Sequence, residues 1–236
     1  MTTTPAPRGD GRRSAAAQRR RERKREIIAA TRALFDERGV RDAQIEDVAR
    51  AVGINRAIIY RHFTGKEELF ALALVGYLDE LREELVAAAD SAGPDDHRAR
   101  LTALTRAFVD YGLGHPAFVD CAQTLMRRTG PELWDEIAES AIYRLGRSIS
   151  GCLAVLASTF EAGTESGDFH VEDPHLLANT LYASGLGALQ LARVGILVKE
   201  AAPGVPTVGS ITADQVKEHM VTSALAMASA GTPQQA

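Results

Sequence analysis

The sequence predicts an all-helical protein of about nine helices. Apolar residues return at helical spacing along most of the chain, no stretch sustains the alternation of a half-buried strand, and no unit of 20 to 50 residues repeats. Composition agrees, since 45% hydrophobic and 25% charged residues in 236 leave room for one large core or two small ones. Three regions are expected: a flexible basic arm over residues 1–20, a three-helix unit over 21–72, and a larger helical body over 73–236.

Each element has a local reason. Residues 1–20 are Pro, Gly, Ser, Thr and Arg with almost no large apolar side chain, the composition of a mobile segment. Ile27, Thr31, Leu34 and Phe35 then mark one face of a first helix, which Gly39 can close. Ile45, Val48, Ala49 and Val52 repeat the spacing more briefly, and Gly53 ends that run. Asn55 supplies an N-cap for a third helix running to about Phe63. Thr64 and Glu67, in "TGKE", form a capping-box pattern that opens a long helix bearing Leu69, Phe70, Leu72, Val75 and Leu78. Pro94, Pro116, Pro131 and Pro174 stand at expected helix starts. "AAPGVPTVGS" at 201–210 reads as one long loop, and Thr212 to Gln215 caps a last helix ending near Ala230.

Several classes are excluded. No apolar run approaches the roughly 18 to 20 residues that span a bilayer, and the basic start lacks the apolar core of a signal peptide, so a cytoplasmic location is expected. Cys121 and Cys152 have no metal spacing and read as reduced core thiols. No nucleophile elbow, phosphate loop, zinc-protease motif or carboxylate pair appears, and Gly185 and Gly187 give only a GxG inside a helical pattern. Cys121 near His115 lacks a third group, while His170 and His175, five apart, read as solvent-exposed. No enzyme, cofactor or metal is expected.

Charge points to a partner. Residues 1–70 hold 16 Lys and Arg against 10 Asp and Glu, whereas the remainder holds 11 against 21. A basic head on an acidic body suits a polyanion met by the head alone. Two short helices joined at Gly53 and stacked on a preceding one fit a helix-turn-helix, with Leu34, Phe35, Ile45, Val48, Val52, Ile59 and Phe63 as its small core. The third helix then has a free face. Arg56 at its start can donate bidentately to guanine, and Ala57 is small enough to meet a thymine methyl. Tyr60 and His62 are placed for phosphates, as is Lys66 beside the next helix's N-terminal amides. Gln44, Ile45, Asn55 and Arg61 complete the expected DNA-binding set, and Arg8, Arg12, Arg13, Arg19 and Arg20 of the arm can follow the duplex into its minor groove.

The runs "REIIAATRALFDERG" and "IEDVARAVGINRAIIYRHFTGKEEL" resemble the tetracycline-repressor (TetR) family of bacterial transcriptional regulators over about residues 24–72. The chain departs from the family's usual residues at Gln44, where Ser or Thr is common, and at Ile58, where Thr is common. Each departure removes a hydroxyl that could meet DNA.

The resemblance implies a body that binds a small molecule and forms a homodimer. Phe108, Tyr111, Gln123, Arg127, Trp134, Tyr143 and Asn179 are the candidate ligand-binding residues, and a largely apolar effector is expected because few charges fall on apolar faces. Small residues along "LYASGLGALQLA" and a stripe on the last helix place Leu181, Gly185, Leu189, Val216, Met220 and Ala224 at the expected dimer seam. The reading is a dimeric repressor of a palindromic operator, released by its effector. A transcriptional activator of the same fold and a helical adaptor without sequence-specific DNA binding stand as alternatives.

Overall fold

The computed structural model describes residues 10–230, the first four by backbone alone. Ten helices occur among them: α1 (Asp10–Arg38), α2 (Ile45–Val52), α3 (Arg56–Tyr60), α4 (Lys66–Ser91), α5 (His97–Gly114), α6 (Pro116–Met126), α7 (Gly130–Glu136), α8 (Glu139–Ser166), α9 (Pro174–Val194) and α10 (Ala213–Ser229). An antiparallel hairpin, β1 (Ile196–Ala202) and β2 (Val205–Ser210), joins α9 to α10. The chain is helical as expected, and the hairpin replaces the anticipated loop.

In the head, local chemistry sets the breaks. Gly39 and Gly53 take φ of 81° and 68°, the left-handed region that lets glycine end a helix cheaply. The side chain of Asn55 accepts from the backbone N–H of Ile58 at 3.1 Å, which starts α3 as expected. α3 is short, however, and stops at Tyr60. The long helix is capped differently too. It begins at Lys66 after Gly65, and the backbone N–H of Thr64 donates to Glu68 at 2.7 Å, not to Glu67. α1 starts at Asp10, ten residues inside the expected arm, because "SAAAQRRRERKR" is built from strong helix formers. Gln18 to Glu22 and Arg23 to Glu26 add side-chain pairs along that helix.

One core runs from head to body. Ile27, Phe35, Ile45, Val48, Ile59 and Phe63 bury in the head, and Phe35 meets Phe70 edge-on at 5.2 Å. α4 carries that core into the body, where it packs on α5, α6 and α8 and buries Tyr77, Leu78 and Leu81 completely. α9 lies against α5 and α8, and α10 against α5 and α9.

This packing corrects the expected dimer seam. Leu181, Gly185, Leu189, Val216, Met220 and Ala224 are all buried within the chain itself. Gly185 serves the close approach of α5, since a Cβ there would stand 2.5 Å from the Phe108 ring. The small-residue stripe and the inward face of α10 are satisfied intramolecularly.

The hairpin pairs Ile196 with Ser210 and Val198 with Val208, and turns at Gly204, φ 76°. Its register shifts between Glu200 and Ala202, opposite Pro206, a residue with no N–H to give a ladder. Ile196, Val198, Val205 and Val208 are exposed. No helix among the described residues is long and apolar enough to cross a membrane.

Candidate nucleic-acid interface and ligand cavity

α3 is held by one side and offers the other. Ile59 buries in the head core, as does Phe63 just past the helix end, whereas Arg56, Ala57, Tyr60 and Arg61 are exposed. Residues at i, i+1, i+4 and i+5 on a helix form one row, the shape that enters a major groove.

The row is pre-arranged. Arg56 donates to Glu46 of α2 at 2.7 Å and to the Tyr60 hydroxyl at 3.2 Å, with its guanidinium 5.2 Å from the Tyr60 ring. The Tyr60 hydroxyl foremost, with Glu46 behind it, holds this guanidinium above the ordinary arginine range. Arg56 is thus held between Glu46 and Tyr60 on the exposed face. Glu46 had no place in the expected site; its i to i+10 relation to Arg56 is set by the turn at Gly53.

The remaining candidates separate. Gln44 is exposed at the N-cap of α2, and Asn55 has spent its side-chain oxygen on Ile58. Ile45 is a correction, because at 8% exposure it is the first inward position of α2 and belongs to the core. His62 is partly buried; that burial, then the nearby cations Arg20, Lys24, Arg61 and Arg23, hold its imidazole below the ordinary histidine range. A neutral ring still carries one N–H for a phosphate. Lys66 is half-buried with its ammonium 5.1 Å from the Phe70 ring.

Of the basic arm, Arg8 lies outside the described residues, and Arg12 and Arg13 sit on α1 with side chains likewise outside them. Arg19 and Arg20 are exposed on α1. Lys24 behaves differently. Its ammonium pairs with buried Glu68 at 3.3 Å and lies 4.9 Å from the Phe63 ring, so it fastens α1 to the start of α4.

In the body, a cavity of about 60 Å³ opens between α4, α5, α8, α9 and α10. Leu81, Leu85, Phe108, Leu156 and Met220 give it an apolar wall, with Thr105, Cys152 and Tyr182 as its polar members. Burial pushes the Cys152 thiol up to about 12, which keeps it protonated. Of the seven expected ligand residues, only Phe108 lines this space, beside Leu181, Met220 and Ala224 from the expected dimer seam. Tyr111 is buried but donates to the Tyr77 carbonyl at 2.8 Å. Gln123 and Arg127 line a separate polar cleft with Arg38, Arg41 and Arg193, where Gln123 also donates to the Leu186 carbonyl at 3.1 Å. Trp134 is 61% and Tyr143 72% exposed, and Asn179 donates to the His175 carbonyl on the surface of α9. Those three face outward because α7 buries nothing and α8 and α9 turn other faces to the core.

Between head and cavity lies a polar junction that sequence reading missed. Arg32 of α1 donates both prongs to Glu80 of α4, one at 2.6 Å, and stacks 4.1 Å from the Tyr77 ring. The Tyr77 hydroxyl donates to Asp36.

Comparison with known proteins places these features. Residues 27–73 match the model for "Bacterial regulatory proteins, tetR family". The chain is 26% identical over 208 residues to the HTH-type transcriptional repressor KstR2 of Rhodococcus jostii, covering 86% of this chain and 89% of that one. It is 30% identical over 92 residues to the HTH-type transcriptional activator FasR of Mycolicibacterium smegmatis, which is 39% of this chain and only 41% of FasR. Among solved structures, RolR in complex with resorcinol superposes with a TM-score of 0.63 over 90% of each chain at 19% identity. KstR2 of Mycobacterium tuberculosis, a ketosteroid transcriptional regulator, does so at 0.55 over 88% of this chain and 95% of that one, at 22% identity. The head over residues 27–73 thus resembles that of the tetR family of bacterial regulatory proteins, and the chain shares its fold with these solved regulators along nearly the whole length.

Proposed function

We propose that the protein is a transcriptional repressor that binds a palindromic operator as a homodimer and is released by a small, largely apolar effector. The observation that carries this reading is the exposed row on α3, where Arg56, Ala57, Tyr60 and Arg61 face outward from a helix fastened by Ile59. The helical body has no catalytic role in it, and the protein acts where chromosomal DNA is accessible. KstR2, the relative matched over most of this chain, is a repressor, and this supports the sign. Activation is the second reading, supported by FasR over a shorter stretch.

A short reader helix gains affinity by acting twice along the duplex, so a dimer is part of the proposal. With the inner faces of α9 and α10 occupied, the outer faces remain. They carry exposed Leu191 and Val194 next to the apolar hairpin, and Met227 near the far end of α10. An isolated two-stranded hairpin is marginal in water, and a second copy packed there would cover it.

The cavity is the proposed effector site. Its wall residues Leu81 and Phe108 flank the Arg32–Glu80–Tyr111 junction along α4 and α5, which gives an occupied cavity a route to α1. Differential binding of about 1 to 3 kcal/mol is enough for such coupling.

Selection of bound duplexes from a random pool tests the function, repeated with Arg56→Ala/Tyr60→Ala. Enrichment of a palindrome that vanishes in a folded double variant supports the reading. Salt-sensitive binding without an enriched sequence, or enrichment unchanged in the variant, sinks it.

A further inference from the structure

We propose that the cavity admits an uncharged apolar molecule carrying one oxygen acceptor, a hydroxyl or a ketone, and that the Tyr182 hydroxyl is the group that reads it. The inference rests on the effector reading of the cavity and adds to it the chemistry of the ligand.

Three side chains with an O–H or S–H group line the space: Thr105, Cys152 and Tyr182. The Thr105 hydroxyl has one proton and gives it to the Leu101 carbonyl at 2.8 Å. The Cys152 thiol gives its proton to the Leu78 carbonyl at 3.2 Å. Both are left only as acceptors. The Tyr182 hydroxyl has no hydrogen-bond partner among the described residues, and burial, with the Cys152 thiol nearby, raises it well above the ordinary phenol range. It therefore stays protonated and holds the one donor not already committed to the protein.

Its position is set by packing. The Tyr182 ring meets Phe108 edge-on at 6.0 Å, and Phe108 is in turn locked against Gly185 on the same helix as Tyr182. Tyr182 is partly buried and lines the cavity, so a ligand oxygen there can accept from its hydroxyl.

The same lining decides what is refused. Among the described residues, no Lys, Arg, His, Asp or Glu borders the cavity. A carboxylate or ammonium entering it would lose its hydration with no countercharge, which is far more costly than burying a neutral oxygen. The wall of Leu, Phe and Met accepts hydrocarbon on every other side.

The test uses the full chain and three probes on one skeleton: phenylcyclohexane, 4-cyclohexylphenol and 4-cyclohexylbenzoate, with affinities measured by calorimetry. Tyr182→Phe removes the donor while keeping the ring against Phe108, and Met220→Trp fills the cavity. The expected result is that 4-cyclohexylphenol binds about tenfold more tightly than phenylcyclohexane, that Tyr182→Phe abolishes this gap, and that the benzoate does not bind. A gap that persists in Tyr182→Phe, or benzoate binding equal to the phenol, overturns the proposal. If Met220→Trp leaves phenol binding intact, or no probe binds the wild type, the cavity is not the effector site and the underlying reading fails instead.

Discussion

Arg32 and Glu80 join the two halves of the molecule: the guanidinium of α1 grips the carboxylate of α4 with both prongs while standing 4.1 Å over the Tyr77 ring. Tyr111, one turn beyond the cavity residue Phe108, reaches the same carboxylate at 3.3 Å. A head that moves relative to the body must carry this pair with it or break it.

The pair makes a pH-dependent contribution whose sign is fixed. Arg32 foremost holds the Glu80 carboxyl below the usual carboxylate range. Stability from it is therefore complete above the unfolded value, about 4.3, and fades as pH falls through the lower folded value. Glu80→Gln should cost at most about 1 kcal/mol at neutral pH, because Glu80 is half exposed. Thermal melting of both proteins from pH 7 to pH 3 should show the difference shrinking toward acid. A constant difference would argue against the ion pair as its source. In the same variant, effector should release DNA less completely, which a titration of the DNA complex reads out.

Arg56→Ala should relax sequence preference at one base position and weaken operator binding by about 1 to 3 kcal/mol. Glu46→Gln should act oppositely on phosphate contacts, since it removes a negative charge beside the reader helix. Binding to operator and to unrelated duplex, compared across both variants, separates base reading from backbone attraction. Uniform loss on all sequences in Arg56→Ala would reassign that residue to a phosphate.

The basic stretch of α1 divides into two kinds of cation. Arg20→Ala should leave melting unchanged and flatten the slope of log affinity against log salt by about 0.9 if one phosphate contact is lost. Lys24→Ala should do the reverse. It strips a buried carboxylate of its cation and should lower stability by about 1 to 3 kcal/mol. Urea unfolding and salt-dependent binding of the two variants decide whether the division holds.

The two faces of α9 should respond differently. Leu189→Ala empties an interior position against α5 and should cost about 2 to 5 kcal/mol in any oligomeric state. Leu191→Glu with Val194→Glu, on the outer face, should leave the fold intact and yield a monomer by sedimentation. Charge on the hairpin face, at Val198 and Val208, should weaken the dimer in the same way. A dimer unaffected by all four outer substitutions would place the contact elsewhere.

Much of the head, and the start of α10, was open to sequence reading because the causes are local. Gly39, Gly53, Asn55 and the Thr212–Gln215 cap act within one turn of the chain, and each appears where expected. The exposure of Arg56, Ala57 and Tyr60 follows from helical period once α3 is placed. Local reading failed where composition misled it. The basic start reads as a mobile arm by its charge and as α1 by its alanines, and the helix prevails from Asp10. The hairpin hides behind Pro203, Gly204 and Pro206, which signal loop unless the register shift that tolerates Pro206 is known.

What sequence alone conveyed, then, is the helical class, the breaks, and which residues of α3 are free, since neighbours along the chain settle all of these. Tertiary packing alone decided the rest. Helical spacing shows that Leu181, Gly185 and Met220 share apolar faces, but not whether those faces meet another helix of the same chain or of a second one. The approach of α5 settled it, with Phe108 lodged against Gly185 and a cavity left between them, because a buried face is satisfied by whichever surface reaches it first in space, and distance in space is not written in spacing along the chain.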